Sequence, residues 1–293
     1  MNTKSTDTIE TIRHSLYSRA ERSWWVALVW VVTGLATTLF LVHPSASTTK
    51  VFESICLGVS ALASVMAALC RRWASTCAAR ADLCRRAFLY GNTLGKDLSL
   101  EEQRIIALWP TDTALNSVTT ARPYFSSSEC QGPDRLADAV GESAFFTAEL
   151  ARLMANGGFI LASACALAFA TTVISTTTMV LEATALNNLH VLLGMAGIAI
   201  FILLIAEVFF TSLAYKTLHS EAMSVFRSAE QFRQLAEQNE ITAVRLAESY
   251  SIALAANLPI PNGLYKWQHD RIDRAYRLSL RIPPKIISDS RPS

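Results

Sequence analysis

Four stretches of the chain are almost continuously apolar, each long enough to cross a membrane. They run from Trp24 to Val42, Val51 to Leu69, Gly158 to Thr176 and Val191 to Tyr215. A spanning helix needs roughly 20 mostly apolar residues to traverse about 30 Å of hydrocarbon. The pattern therefore predicts an all-α membrane protein whose four spans form two hairpins. It divides the chain into an N-terminal helix (1–23), a first transmembrane hairpin (24–70), a stalk with a helical insert (71–157), a second hairpin (158–215), and a stalk with a basic amphipathic C-terminal helix (216–293).

Beyond the spans the apolar positions keep a helical period. No Gly or Pro occurs between Gly58 and Gly91, or between Gly197 and Pro259, so the second and fourth spans are expected to continue as unbroken stalks. After the fourth span, Leu218, Ala222, Val225, Ala229, Phe232, Ala236, Asn239, Ala243, Leu246 and Tyr250 alternate steps of four and three. Such a pattern is the seam of a helix packed on partners, and its many small residues suit a close-packed bundle. In the insert, Ser99 and Glu102 form a capping box that predicts a short helix from Leu100. Pro110, Pro123 and "SSSECQGP" mark loops, and Pro133 takes a favoured first helical position. Asn156-Gly157-Gly158 is expected to be a hinge or break where that helix meets the third span.

Composition supports the membrane reading: 51% of the 293 residues are hydrophobic and only 17% are charged. The formal net charge of +2 matters less than where the cations fall. Lys4, Arg13, Arg19 and Arg22 precede the first span, and many cations from Arg71 to Arg152 separate the second from the third. The two short connections carry only Lys50 and none, respectively. The positive-inside rule then places the N-terminus, the insert and the C-terminus on the cytoplasmic side of a multi-pass membrane protein. The first apolar stretch exceeds the 7–15 residues of a signal-peptide core, so a span is expected there rather than a cleaved leader. The six cysteines fall in spans or cytoplasmic segments and are expected to be reduced; Cys70, Cys77 and Cys84 read as small side chains in a helical seam.

Within the spans, Gly158, Ala162, Ala166 and Ala170 repeat every four residues, as do Ser60, Ser64 and Ala68. Small residues at this spacing let helices approach closely, either within one chain or between copies in a homo-oligomer. Glu207 stands inside the fourth span, where a carboxylate usually faces a bundle interior or water. It is a pore or gate candidate, with a structural role at the inner interface as the alternative. The threonines at 171, 172 and 176–178 either line a water-filled mouth or bond their own helix.

No phosphate-binding loop, dinucleotide fingerprint, zinc motif or nucleophile elbow is present, so no enzyme, cofactor or metal is predicted. "HSE" at His219–Glu221 has the H-x-E spacing of a zinc deaminase but lacks the P-C-x-x-C that would complete the ligands. The tail "PIPNGLYKWQHDRIDRAYRLSLRIPP" is expected to form an amphipathic helix, with Leu264, Tyr265, Ile272, Ala275, Tyr276 and Ile282 on one face and Lys266, Arg274, Arg277 and Arg281 on the other. Asp270 and Asp273 stand four residues before Arg274 and Arg277, which neutralises part of the charge and argues against DNA or RNA binding. Ile272 and Tyr276 are instead expected to clasp the stalks, with contact to the anionic lipid surface and then nucleotide binding as the alternatives for this helix.

Two segments carry a resemblance. "PYFSSSECQGPDRLADAVGESAFFTAEL" before the third span and "LPIPNGLYKWQHDRIDRAYRLSLRIPP" near the end are similar to the SMODS-associated four-transmembrane effectors of bacterial antiphage operons. His269 between Gln268 and Asp270, and "KIISDSRPS" at the end, depart from that family's pattern. The resemblance implies an effector that permeabilises or disrupts the membrane when a partner synthetase makes a nucleotide second messenger, a cyclic oligonucleotide bound directly or through a sensor partner. A constitutive channel or transporter subunit, or a membrane-anchored scaffold or receptor, is the alternative. Against a transporter stand the absence of an internal repeat and of matched Gly or Pro breaks within the spans.

Overall fold

The structure, a computed structural model, describes residues 3–42, 50–96, 130–180, 188–235, 239–257 and 259–281. Six helices are described: α1 (Thr3–Val42), α2 (Lys50–Leu94), α3 (Pro133–Val180), α4 (Asn188–Arg233), α5 (Glu240–Ala255) and α6 (Asn262–Arg281). The first four have 40, 45, 48 and 46 residues. At 1.5 Å per residue each is about 60–70 Å long, roughly twice the hydrocarbon thickness. All four contain a segment apolar enough to span, which makes the chain a candidate multi-pass membrane protein, with an apolar half and a polar half. They pair as two hairpins, α1 with α2 and α3 with α4, and the shorter α5 and α6 pack on the polar half.

Side-chain size determines how the hairpins close. In the apolar half Ser60, Ala63 and Ala67 are buried, and a Cβ on Gly34 of α1 would stand 3.3 Å from the Ala63 Cβ and 3.0 Å from Leu204 Cδ1. The hydroxyls there are satisfied locally: Thr38 donates to the Gly34 carbonyl at 2.6 Å, and its Oγ1 lies 3.1 Å from Ser60 Oγ. Val31, Leu35, Ala67, Phe201 and Leu204 fill the space between the hairpins, with Phe169 stacked on Phe201 at 4.5 Å. The larger core lies in the polar half, where α2, α3, α4, α5 and α6 bring Phe88, Leu136, Phe145, Phe226, Phe232, Tyr250, Ile272 and Tyr276 together.

Several sequence expectations need correction. The Asn156–Gly158 hinge does not exist, because α3 runs unbroken from Pro133 to Val180. Glycine is required at 158 for proximity rather than flexibility: a Cβ there would meet Ser212 Oγ at 2.1 Å. The single stalk from Gly197 to Pro259 is also interrupted, since α4 ends at Arg233 and α5 begins at Glu240. Asn239, which fits the seam register, instead caps α5 by accepting from the Ile241 amide at 2.9 Å. A side-chain oxygen at that position satisfies an otherwise orphaned helix donor, so Asn can start a helix without any Gly or Pro before it. From there α5 folds back, so that Ala253 packs with Tyr215, Leu218, Ala151 and Ala155. On α2 the close-packing stripe is Ser60, Ala63 and Ala67, whereas Ala68 is exposed. The helix predicted from Leu100, the loops around Pro110 and Pro123, and the side chains of Thr172 and Thr176–Thr178 lie outside the described residues.

Candidate functional site

In the polar half, α1, α2, α3, α5, the turn before α6 and the start of α6 surround a cavity of about 580 Å³. Its charged wall is built from Arg13, Glu21, Asp82, Arg85, Glu142 and Lys266. Arg13 is 2% exposed and Arg85 is 7% exposed, unusual burial for arginines. Each guanidinium rests on a ring: Arg85 lies 4.4 Å from the Tyr250 centroid and Arg13 lies 5.2 Å from the Phe88 centroid. Arginine tolerates this better than lysine because its planar, weakly hydrated group stacks on aromatic faces.

The carboxylates are tied into the wall. Asp82 accepts from the Tyr17 hydroxyl at 2.5 Å and pairs with Arg85 Nε at 3.4 Å. Burial pushes the Asp82 carboxyl above its ordinary value, against the opposing pull of Arg85 and Tyr17. Glu21 accepts from the Gly263 amide at 3.0 Å, which ties the start of α6 to α1. Tyr250 is fixed by donation to the Ser143 carbonyl at 2.9 Å, and its hydroxyl lies 2.6 Å from Thr147 Oγ1. Phe146 and Tyr265 add ring surface, 5.9 Å apart between centroids.

A second constellation lies near the end of the fourth apolar segment. Glu207 of α4 forms an ion pair with Arg71 of α2, and Arg71 Nη1 also lies 3.5 Å from Thr211 Oγ1. The Arg71 and Glu207 side chains are 14% and 33% exposed, so the pair is shielded on most sides. A cavity of about 260 Å³ adjoins it, lined by Trp24, Leu28, Met154, Leu161 and Tyr215 among others. The Tyr215 hydroxyl donates to the Pro259 carbonyl at 3.0 Å, linking the end of this span to the turn before α6.

The other sequence candidates are placed as follows. Gly158 and Ala162 face the bundle, Ala162 being buried, whereas Ala166 and Ala170 are exposed in the single chain. Leu218, Val225, Phe232 and Leu246 are all buried, although Leu246 belongs to α5 and not to the α4 stalk. Ile272 and Tyr276 are 3% and 4% exposed; Tyr276 packs its ring 5.5 Å from Phe145 and lies 3.5 Å from Arg233 Nη2. Arg233 in turn pairs with Asp138 of α3. Gln268 joins the buried face, whereas Ala275 is exposed. Asp273 pairs with Arg277 at 3.0 Å, but Arg274 bonds the Asp270 carbonyl instead of its carboxylate. His219 Nδ1 is hydrogen-bonded with the Ala148 carbonyl at 2.9 Å, which gives this histidine a packing role. Cys77 and Cys84 are buried in the helical interface. Among the described residues no group of His, Cys, Asp and Glu could hold a metal.

Sequence reasoning missed the polar cavity and the Arg71 partner of Glu207. The available signal was charge at core register: Asp82 and Arg85 lie on the stalk turn that carries Cys84. Comparison with known proteins finds no family model, no curated protein and no solved structure that matches this chain.

Proposed function

We propose that this chain is a bacterial inner-membrane effector that permeabilises the membrane when a nucleotide second messenger is sensed in the cytoplasm. The observation that carries this reading is continuity: α1, α2 and α3 wall the polar cavity and run without a break into the apolar segments. A ligand shifts a conformational equilibrium only through different affinity for its states, and unbroken helices convert a change in the cavity into a change between spans. The resemblance of the segment before α3 and of the tail to four-transmembrane antiphage effectors supplies the nucleotide trigger. The charge distribution supports placing the polar half, the insert and both termini on the cytoplasmic side.

The apolar interior between the hairpins is filled by Val31, Leu35, Phe201 and Leu204, which favours a conducting path between copies of a homo-oligomer over one through a single chain. The exposed Ala166 and Ala170 offer small side chains for such contacts.

One observation favours a second reading, a membrane-anchored scaffold. Trp267 and Leu278 are 75% and 59% exposed, and eleven residues of helix bring them to about 20° of each other. Reconstitution in dye-loaded liposomes separates the readings. The effector is expected to release dye only with a cyclic oligonucleotide or with its cognate synthetase. Release without any ligand identifies a constitutive channel, and no release under either condition leaves the scaffold.

A further inference from the structure

The smaller cavity, of about 260 Å³, lies between α1 of the first hairpin and α3 of the second, with α4 behind it. Leu28 and Val31 of α1, Met154 and Leu161 of α3 and Val208 of α4 give it apolar walls. Its polar members are engaged elsewhere. Arg71 is held by Glu207 and lies 3.5 Å from Thr211 Oγ1, Ser212 donates to the Val208 carbonyl, and Tyr215 donates to the Pro259 carbonyl. A buried water needs about two to four polar partners, which such a wall does not offer. An apolar cavity of roughly 150 Å³ already stays dry and accepts a benzene-sized hydrocarbon, and this one is larger. Left empty, it would forfeit the dispersion contacts of every side chain that lines it.

Gly157 supplies a second, independent observation. Its neighbour Gly158 is explained by Ser212, but a Cβ on Gly157 would meet no atom within 4 Å among the described residues. Glycine inside a helix is less stable than alanine, and no protein contact at this position compensates. What Gly157 does is line the cavity, and together with Leu161 it is exposed at the mouth. Position then identifies the occupant. The cavity runs along the apolar segments of α1, α3 and α4, so once these segments cross a bilayer the medium at its mouth is hydrocarbon.

The geometry points to a binding site for one acyl chain of a membrane phospholipid, lodged between the two hairpins with Gly157 as its entrance. The chain completes the packing between α1 and α3 where protein side chains leave a gap. This site requires the apolar half to lie in a bilayer, but it does not require the effector reading.

The test uses the full chain in vesicles of phosphatidylcholine and phosphatidylglycerol, doped with a phospholipid that carries a diazirine midway along one acyl chain. After illumination, labelled residues are mapped by mass spectrometry. Phe210 and Val65, 66% and 57% exposed on the outer surface of α4 and α2, serve as internal standards for ordinary lipid contact. Leu28 and Val208, both half-buried in the cavity wall, are expected to be labelled in the wild type. Gly157→Leu fills the entrance and should lower their labelling, relative to Phe210, by about tenfold or more at an unchanged thermal midpoint. Gly157→Ala should fold at least as stably as wild type and lower the labelling less. The proposal is overturned if Leu28 and Val208 escape label while Phe210 is labelled, the result expected when a second copy covers the cavity. It is also overturned if Gly157→Leu leaves their labelling unchanged, or if either substitution destabilises the fold, because the space at Gly157 would then not be free. None of these readouts depends on a nucleotide or on dye release, so failure here leaves the effector reading standing, and failure of that reading leaves the lipid site.

Discussion

Ser212 of α4 occupies the space that a side chain at Gly158 of α3 would need. A Cβ built at Gly158 would lie 2.1 Å from Ser212 Oγ and 3.2 Å from its Cβ. Ser212 is 1% exposed and donates to the Val208 carbonyl at 2.8 Å, so its hydroxyl cannot swing aside without losing a bond. Gly158→Ala is expected to destabilise the second hairpin by about 1–3 kcal/mol, the usual cost of overpacking. Ser212→Gly in the same chain should recover most of that loss. Thermal unfolding of both variants in nanodiscs measures it, and an unchanged midpoint for Gly158→Ala would show that the helices part freely.

Glu207 and Arg71 form the corresponding cross-link between α4 and α2. Glu207→Gln leaves the guanidinium without its counter-charge in a mostly shielded position and should cost about 1–3 kcal/mol, the range for a hydrogen bond to a charged group. Arg71→Gln with Glu207→Gln should cost less than the sum of the two single changes. If dye release and stability of Glu207→Gln both equal wild type, the pair contributes nothing to the closed arrangement.

The clasp of α6 depends on Ile272 and Tyr276, both within the main core. Ile272→Asp places a carboxylate within the apolar core and should cost about 3 kcal/mol or more. The expected consequence is local: α6 detaches and becomes cleavable by trypsin at Arg271, Arg274 and Arg277, while the two long hairpins survive. Equal digestion of wild type and variant would refute this division of stability.

Asp82 makes the polar core pH-dependent. Its carboxyl is pushed up by burial, so the folded chain takes up a proton at a higher pH than the unfolded chain. Stability is therefore reduced by this group above its folded value and regained as pH falls through that value toward the ordinary carboxylate value of about 3.9. Asp82→Asn removes the effect. The difference in melting temperature, wild type minus Asp82→Asn, should increase on acidification across that window; a constant or decreasing difference would contradict the assigned cause.

The membrane-scale architecture was legible because it depends on long-range averages. Apolar runs fix the four long helices, and Pro133 marks the start of α3. The tail face was readable for Ile272 and Tyr276 because amphipathic period needs only neighbours one turn away. What escaped depends on residues far apart in sequence. Nothing adjacent to Glu207 announces Arg71, which looks like one more cation at the end of a span. Arg13, Asp82, Glu142, Tyr250 and Lys266 meet only after five helices assemble. The break between Arg233 and Glu240 was concealed because Asn239 satisfies a heptad register and caps a helix equally well. The Gly157-Gly158 pair signals flexibility in isolation, yet at Gly158 it provides room for a neighbour.

The unbroken course of α2 from its apolar segment to Asp82 and Arg85 also fixes a screw phase. Each residue added between Leu69 and Asp82 would turn everything beyond it by about 100°, carrying the Arg85 and Asp82 side chains off the cavity while the apolar face stayed in place. Seven residues complete nearly two turns, but they also advance the helix by about 10.5 Å, so α1, α3 and α4 would have to lengthen with it. The distance between the cavity and the apolar segments is thus set jointly in four helices, and insertions and deletions are expected to be tolerated only in the connections between them.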